Sequence, residues 1–253
     1  MSEQIGVDVS DGVMTLTLLR AEKKNALTTA MYTALTAALG DAANRDDVRV
    51  VLLRGSGGVF TAGADLDDFR RRAEGPEPEV SPGMRFIFAL RALDKPVVAM
   101  VQGLATGIGT TLLLHCDFVY LGASAVLRTP FIDLGLCPEA GSSVLLSAIV
   151  GERRAAELLL LGEPLGADEA LRCGLANAVF PDGELEQRVA EKLAALAAKP
   201  PLAMRQSKRL MRMARDTGVA EAISEEQQVF GRLLRSEESQ RAREALRNRR
   251  SRQ

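Results

Sequence analysis

Two short apolar runs closed by glycine limit what this chain can fold into more than any other feature. In "VRVVLLRG" (residues 48–55) and "KPVVAMVQG" (residues 95–103) the apolar residues follow one another with no polar alternation. A strand with one wet face alternates, so a continuous run predicts a strand buried on both faces, as in a parallel sheet covered by helices. "DFVYLGA" (117–123) has the same form. Helical stretches lie between the runs: Met31, Leu35 and Leu39 recur every four residues, and 84–93 and 107–115 also read as helices. "VMTLTLL" alternates, with Met14, Leu16 and Leu18 on one side and Thr15 and Thr17 on the other, and predicts a half-buried strand. Strand alternating with helix implies an α/β layered core.

From about Gly151 the pattern turns helical, each segment closed by Gly, Pro or both, so a helical C-terminal part follows the α/β core. The connection "RRAEGPEPEVSPG" (71–83) is rich in Pro, Glu and Gly and reads as a mobile loop beside a binding site. At 253 residues, 47% apolar and 26% charged, the chain suits one large soluble domain or a domain with an appendage. A net charge of −1 gives no global electrostatic case for nucleic acid or an anionic membrane. From Arg235 onward seven Arg face three Glu, which we read as a solvated helix face before a binding patch. Cys116, Cys137 and Cys173 are dispersed and odd in number, so neither a disulfide framework nor a metal-ligand spacing is expected. The start has neither a basic leader nor an apolar run, and no run is long enough to span a bilayer, so a cytoplasmic protein without a membrane partner is expected.

Two segments carry the chemistry. In "GGVFTAGADLDDF" small residues cluster before Asp65, which is expected to cap a helix beginning at Leu66. In "VQGLATGIGTTLLLHCD" a strand, a glycine-punctuated turn and a helix follow one another. The glycine spacing is not that of a dinucleotide fingerprint, and no Lys-Ser/Thr pair follows as in a phosphate-binding loop. Two such turns can each aim one unpaired N–H at the same oxygen, a backbone oxyanion hole.

These motifs, with "LLRAEKKNALT" and "GEPLGADEALRCGLANAVFP", resemble the crotonase (enoyl-CoA hydratase/isomerase) superfamily over nearly the whole chain. The resemblance implies an α/β spiral of ββα units over 1–195 and a helical C-terminal region over 196–253 that drives assembly into a homotrimer or a dimer of trimers. It implies an acyl-CoA substrate, with coenzyme A entering as part of the substrate and no separate cofactor or metal. The oxyanion N–H groups then fall on Ala64 and Ile108. Ala62, Gly63, Asp65 and Leu66 fall where the family meets the CoA moiety, and Lys23, Lys24 and Ala26 where it lines the CoA entrance. Gly107, Phe131 and Pro138 are expected among the substrate-binding residues. Lys208 falls on a helix that in the family can approach the CoA phosphates, with a solvated helix face as the other reading. Phe230 falls where family aromatics close the acyl pocket.

Hydratases of the family resemble one another in having two catalytic glutamates, and here those positions hold Thr111 and Phe131. Neither side chain is a general base at neutral pH, so simple hydration is not expected. The segment "TPFIDLGLCPEAGSS" (129–143) instead resembles that of the monofunctional peroxisomal-type Δ3,Δ2-enoyl-CoA isomerases, whose catalytic base lies at the position of Glu139. Desolvation by Phe131, Leu134, Leu136 and Pro138 would raise its pKa and strengthen it as a base. Glu139 can also be read as the cap of a helix over 141–150. Asp117 and Asp133 are expected to be structural, and the lone His115 to be packed late in an apolar helix. The remaining alternatives are a ring-intermediate isomerisation or hydratase-like reaction on an acyl-CoA, or a non-catalytic CoA-ligand or RNA-binding role for the chain.

Overall fold

The computed structural model describes residues 3–75, 79–215 and 218–250; the centre of the Pro- and Glu-rich connection, 76–78, lies outside the described residues. The chain opens with a hairpin of β1 (Ile5–Ser10) and β2 (Val13–Leu18). Asp11 (φ 51°) and Gly12 (φ 79°) both take the left-handed region, where a two-residue turn matches strand twist and an Asp-Gly pair fits. Met14, Leu16 and Leu18 are buried while the residues between them are half-buried, as the alternation predicts. Helix α1 (Thr29–Asn44), capped by Thr28, buries Met31, Leu35 and Leu39.

Next come β3 (Val50–Gly55), α2 (Leu66–Glu74), α3 (Pro82–Ala92), β4 (Val97–Val101) and β5 (Leu104–Thr106). Helix α4 (Ile108–Thr111) tightens into a 3-10 turn, Leu112–His115, before β6 (Phe118–Gly122) and β7 (Val126–Arg128). Then follow α5 (Ser142–Val150), α6 (Glu152–Leu160), β8 (Leu165–Gly166), α7 (Ala167–Arg172) and β9 (Ala178–Phe180). The chain closes with α8 (Leu185–Ala197), α9 (Pro201–Arg215), α10 (Val219–Leu234) and α11 (Glu237–Arg250).

The large sheet has the order β1-β2-β3-β4-β6-β9 and is parallel except for the first hairpin. Both runs that open the sequence argument are central strands. Val51, Leu53, Val97, Ala99 and Val101 face the main core, whereas Val50, Leu52, Val98 and Met100 face a second cluster under α8 with Leu185, Val189 and Leu193. A second, smaller sheet, β5-β7-β8, is extended by a bridge from Thr61 to Ala105. Successive turns of the chain thus place one strand in the large sheet and one short segment in the small layer.

The structure corrects several expectations. The segment after Gly151 contains two short strands, β8 and β9, whose lengths are too short for a periodic signal. The expected loop over 71–83 is helical at both ends, since α2 runs to Glu74 and α3 begins at Pro82. Lys208 is on neither a solvated face nor a ligand path. Its Nζ lies 2.6 Å from Asp117 Oδ2 and donates to the Lys95 carbonyl, with 6% of its side chain exposed. Arg212 binds the other Asp117 oxygen at 3.1 Å and the carbonyls of Arg91 and His115. Asp117 also accepts the Val97 N–H at 2.8 Å, so one carboxylate ties α9 to the sheet. Among the described residues no helix is long and apolar enough to cross a membrane.

Removing Lys208 leaves the Asp117 carboxylate with one of its two cations and the buried Lys95 carbonyl without its ammonium donor. Lys208→Met is expected to destabilise the protein by about 3 kcal/mol in urea unfolding. Lys192→Met, on the exposed face of α8, is expected to move it by less than about 0.5 kcal/mol.

Candidate active site

Residues 60–65 run between two neighbouring segments and give nearly every N–H away. Phe60 donates to Gln102 O, Thr61 to Leu104 O, Ala62 to Lys24 O and Asp65 to Leu27 O, at 2.8–2.9 Å. Gly63 donates to the Thr61 hydroxyl at 3.0 Å. Ala64 alone in this stretch has no acceptor among the described residues. In the second turn Gly107 donates to Arg128 O at 2.8 Å, while Thr110 and Thr111 donate back to Gly107 O. The Ile108 N–H, at the start of α4, has no acceptor among the described residues.

Glycine is required where the two turns meet. Gly63 sits at φ 90°, and a Cβ there would lie 2.6 Å from the Thr106 carbonyl oxygen. A Cβ on Gly109 would lie 2.4 Å from Thr61 Cγ2. Gly107 (φ 56°, ψ −121°) takes a backbone conformation that side-chain-bearing residues avoid, and it turns the chain into α4. Ala64 and Ile108 both line a cavity of about 90 Å³ with Phe69, Phe131, Leu134 and Phe230.

Among the described residues Glu139 is the one ionisable side chain lining that cavity. A smaller neighbouring cavity brings Tyr32, Asp68, Arg72 and Ser81 to its other side. Glu139 is half-buried and lines both cavities. Burial pushes its carboxyl up to about 7, Arg72 pulls it down, and Glu226 adds to the rise. Its side chain accepts no hydrogen bond among the described residues, which leaves it open to a proton. Burial, and then Glu139, hold the Tyr32 hydroxyl well above its ordinary range, so it stays protonated.

The chain around Glu139 is held by two turns. Leu134 and Leu136 both donate to Phe131 O, at 3.0 and 2.9 Å, and set the apolar wall. After Glu139, Ala140 (φ 61°) and Gly141 (φ 74°) are consecutive left-handed residues, and the alanine costs about 1–2 kcal/mol of strain. The buried His115 donates from Nε2 to Ala140 O at 2.7 Å, a packed role as expected. The cap of α5 is not Glu139. Glu226 of α10 accepts the Gly141 N–H at 2.6 Å, the Ser143 N–H at 3.0 Å and the Ser143 hydroxyl. The sequence signal for Glu226 is a charge on an apolar stripe formed by Val219, Ile223 and Phe230.

The other expected site residues divide. Ala62, Gly63, Leu66, Gly107, Phe131 and Phe230 line the main cavity. Asp65 lines the smaller one, but both its oxygens are engaged: Oδ1 caps α2 through Asp67 and Asp68, and Oδ2 pairs with Arg20 at 2.7 Å. Lys23 and Lys24 are exposed beside the first turn and Ala26 is half-buried, and they line neither of these two cavities. Pro138, expected among the substrate-binding residues, does not line the cavity; Pro130 does. Thr111 is fully buried and outside the lining. Buried Asn25 escapes a sequence reading. It donates to Ser56 O and Val59 O and accepts the Arg20 N–H, tying the first turn together. Among the described residues no group of three or more His, Cys, Asp or Glu could hold a metal ion.

Residues 8–253 match the family model described as enoyl-CoA hydratase/isomerase. Enoyl-CoA delta isomerase 2 of Rattus norvegicus is 38% identical over 215 residues, which is 83% of this chain and 55% of the relative. The chain therefore spans about half the length of that relative. The 1,2-epoxyphenylacetyl-CoA isomerase of Escherichia coli strain K12 is 36% identical over 79% of this chain and 78% of its own. Among solved structures, OdaA of Pseudomonas aeruginosa superposes with a TM-score of 0.93 at 43% identity, covering 97% of this chain and 99% of that one.

The close approach of the two turns can be tested without touching either donor. Gly109→Ala pushes on Thr61, which holds the Gly63 N–H, and displaces the Ala64 N–H relative to Ile108. The expected result is a fold retained by circular dichroism, with the backbone amide resonances of Ala64 and Ile108 displaced in NMR spectra.

Proposed function

The chain belongs to the enoyl-CoA hydratase/isomerase family and has its crotonase fold, and we propose that it shifts the double bond of a 3-enoyl-CoA to the 2-position. One observation carries this reading: among the described residues Glu139 is the ionisable group that lines both cavities bordered by the unpaired N–H groups of Ala64 and Ile108, and the larger of the two holds no other.

The thioester oxygen sits between those two donors. The Glu139 carboxylate takes a proton from C2, and the C–H electrons enter a dienolate whose charge collects on the thioester oxygen. Two preorganised donors stabilise that charge, and one such donor is worth about 3 kcal/mol in comparable sites. Glu139 then returns the proton to C4, which leaves the double bond between C2 and C3 and restores the thioester carbonyl. No water is consumed. Apolar walls from Phe131, Leu134 and Leu136 support the reaction by keeping the carboxylate poorly solvated and basic. With Thr111 and Phe131 at the hydratase positions, the larger cavity offers no second carboxylate among the described residues to direct water, and Asp65 and Asp68 beside the smaller one are engaged, Asp65 by Arg20 and Asp68 by the Thr29 N–H and Arg71.

A second reading uses the same residues on a ring intermediate. It is favoured by the aromatic lining of Phe69, Phe131 and Phe230 and by the similarity to the epoxyphenylacetyl-CoA isomerase. A panel of linear 3-enoyl-CoA and cyclic acyl-CoA substrates separates the two by kcat/KM. Assembly into trimers is part of the proposal, supported by apolar side chains that α9 leaves exposed, Leu202 and Met211 foremost. The light-scattering mass of the protein in solution tests it.

Glu139→Gln is expected to lower isomerisation of a 3-enoyl-CoA by about 1,000-fold, followed by the absorbance of the conjugated product. Full activity in that variant would overturn the assignment. Because the base acts ionised and its carboxyl lies at about 7, kcat/KM is expected to be flat above that pH and to fall about tenfold per unit below it.

A further inference from the structure

Glu226 stands outside the chemistry just described, yet it touches the segment that follows the base. It is a buried acid on α10, distant in sequence, and both of its oxygens accept: Oε2 from the Gly141 N–H at 2.6 Å, Oε1 from the Ser143 N–H at 3.0 Å and from the Ser143 hydroxyl. Those donors begin within the left-handed pair Ala140 and Gly141, at its second residue. Alanine has little intrinsic preference for that conformation, so the surroundings must impose it. Two contacts do so: His115 holds the Ala140 carbonyl from below, and Glu226 holds the next amide.

We propose that Glu226 is a positioning residue, whose carboxylate locks the 140–141 turn and thereby fixes the direction in which Glu139 enters the cavity. The inference rests on Glu139 being the base. Its charge has a second effect on the same group. The charged and titratable side chains that face Glu139 are Arg72 and Asp68 from α2, Asp65 at the cap of that helix, Tyr32 from α1 and Glu226 from α10, with Cys137 two residues before it. Of these, Arg72 favours the ionised base and Glu226 opposes it, so Glu226 helps keep the base strong.

The test uses two variants of the full chain. Glu226→Gln keeps the shape and one acceptor but removes the charge. The expected result is a kcat about tenfold lower with KM little changed, and an acid limb of the pH profile displaced to lower pH. Ser143→Ala removes one donor and leaves the charge in place, so kcat should fall about threefold with the acid limb unmoved. NMR titration of the Glu139 carboxyl in protein labelled with 13C-glutamate, without substrate, should show the same downward displacement in Glu226→Gln alone. A folded Glu226→Gln protein with wild-type kcat and pH profile, changed only in melting temperature, would overturn the proposal. Should that variant not fold, an unchanged kcat in Ser143→Ala overturns it equally. If instead Glu139→Gln keeps full activity, the isomerase assignment fails, while the carboxyl titration still reports whether Glu226 governs that group.

Discussion

The structure depends on a backbone-to-backbone approach that tolerates no side chain. Gly63 packs on the Thr106 carbonyl and Gly109 on the Thr61 methyl, so two turns from different strands of the large sheet come into contact. The parallel order of β3 and β4 makes the approach possible, because parallel neighbours end at the same edge of the sheet. The bridge from Thr61 to Ala105 and the Asn25 bonds then set the register of the two turns. Hydrogen bonding within the first turn is so nearly complete that, among the described residues, the Ala64 N–H is the one left over, and it lies on the cavity wall. A site whose donors are orphaned in this way needs no reorganisation when negative charge arrives.

What the amino-acid pattern revealed follows the length of the physical signal behind it. The runs at 48–55 and 95–103 became doubly buried strands because burial on two faces demands uninterrupted apolar residues. Asp65 became the α2 cap, since small acidic residues before a helix have a local reason to be there. Strands β5, β7, β8 and β9 left no such trace, being two or three residues long and paired only through tertiary structure. The buried role of Lys208 is hidden for a related reason. Its helix is strongly amphipathic, and nothing local indicates that Asp117, far away in sequence, waits on the buried side. Glu226 and Arg72 escaped notice because their significance lies in what they face and not in what flanks them.

The candidate base illustrates how a modest chemical group acquires a specific strength. Burial alone would favour a neutral carboxyl, and an acid that never ionised would be useless as a base. Arg72, stacked over Phe230 with 5.9 Å between the guanidinium carbon and the ring centre, supplies the opposing pull. Phe230 is itself edge-on to Phe69, so the cation is held by the same aromatic cluster that dries the cavity. The wall that raises the proton affinity of Glu139 and the charge that restrains it are therefore built from one set of contacts.

The Asp117 cluster has a consequence for how the molecule comes apart. Lys208 on α9 reaches the Lys95 carbonyl, and the buried Lys95 side chain in turn reaches the carbonyls of Ala42 and Arg45 at the end of α1. Two lysines in relay thus join the first long helix, the start of β4 and a helix near the C-terminal end. Contacts so far apart in the chain cannot be lost one at a time without leaving a buried charge behind. The late helix, despite its exposed outer face, belongs to the same cooperative unit as the first, and its amide protons are tied to the opening of the whole.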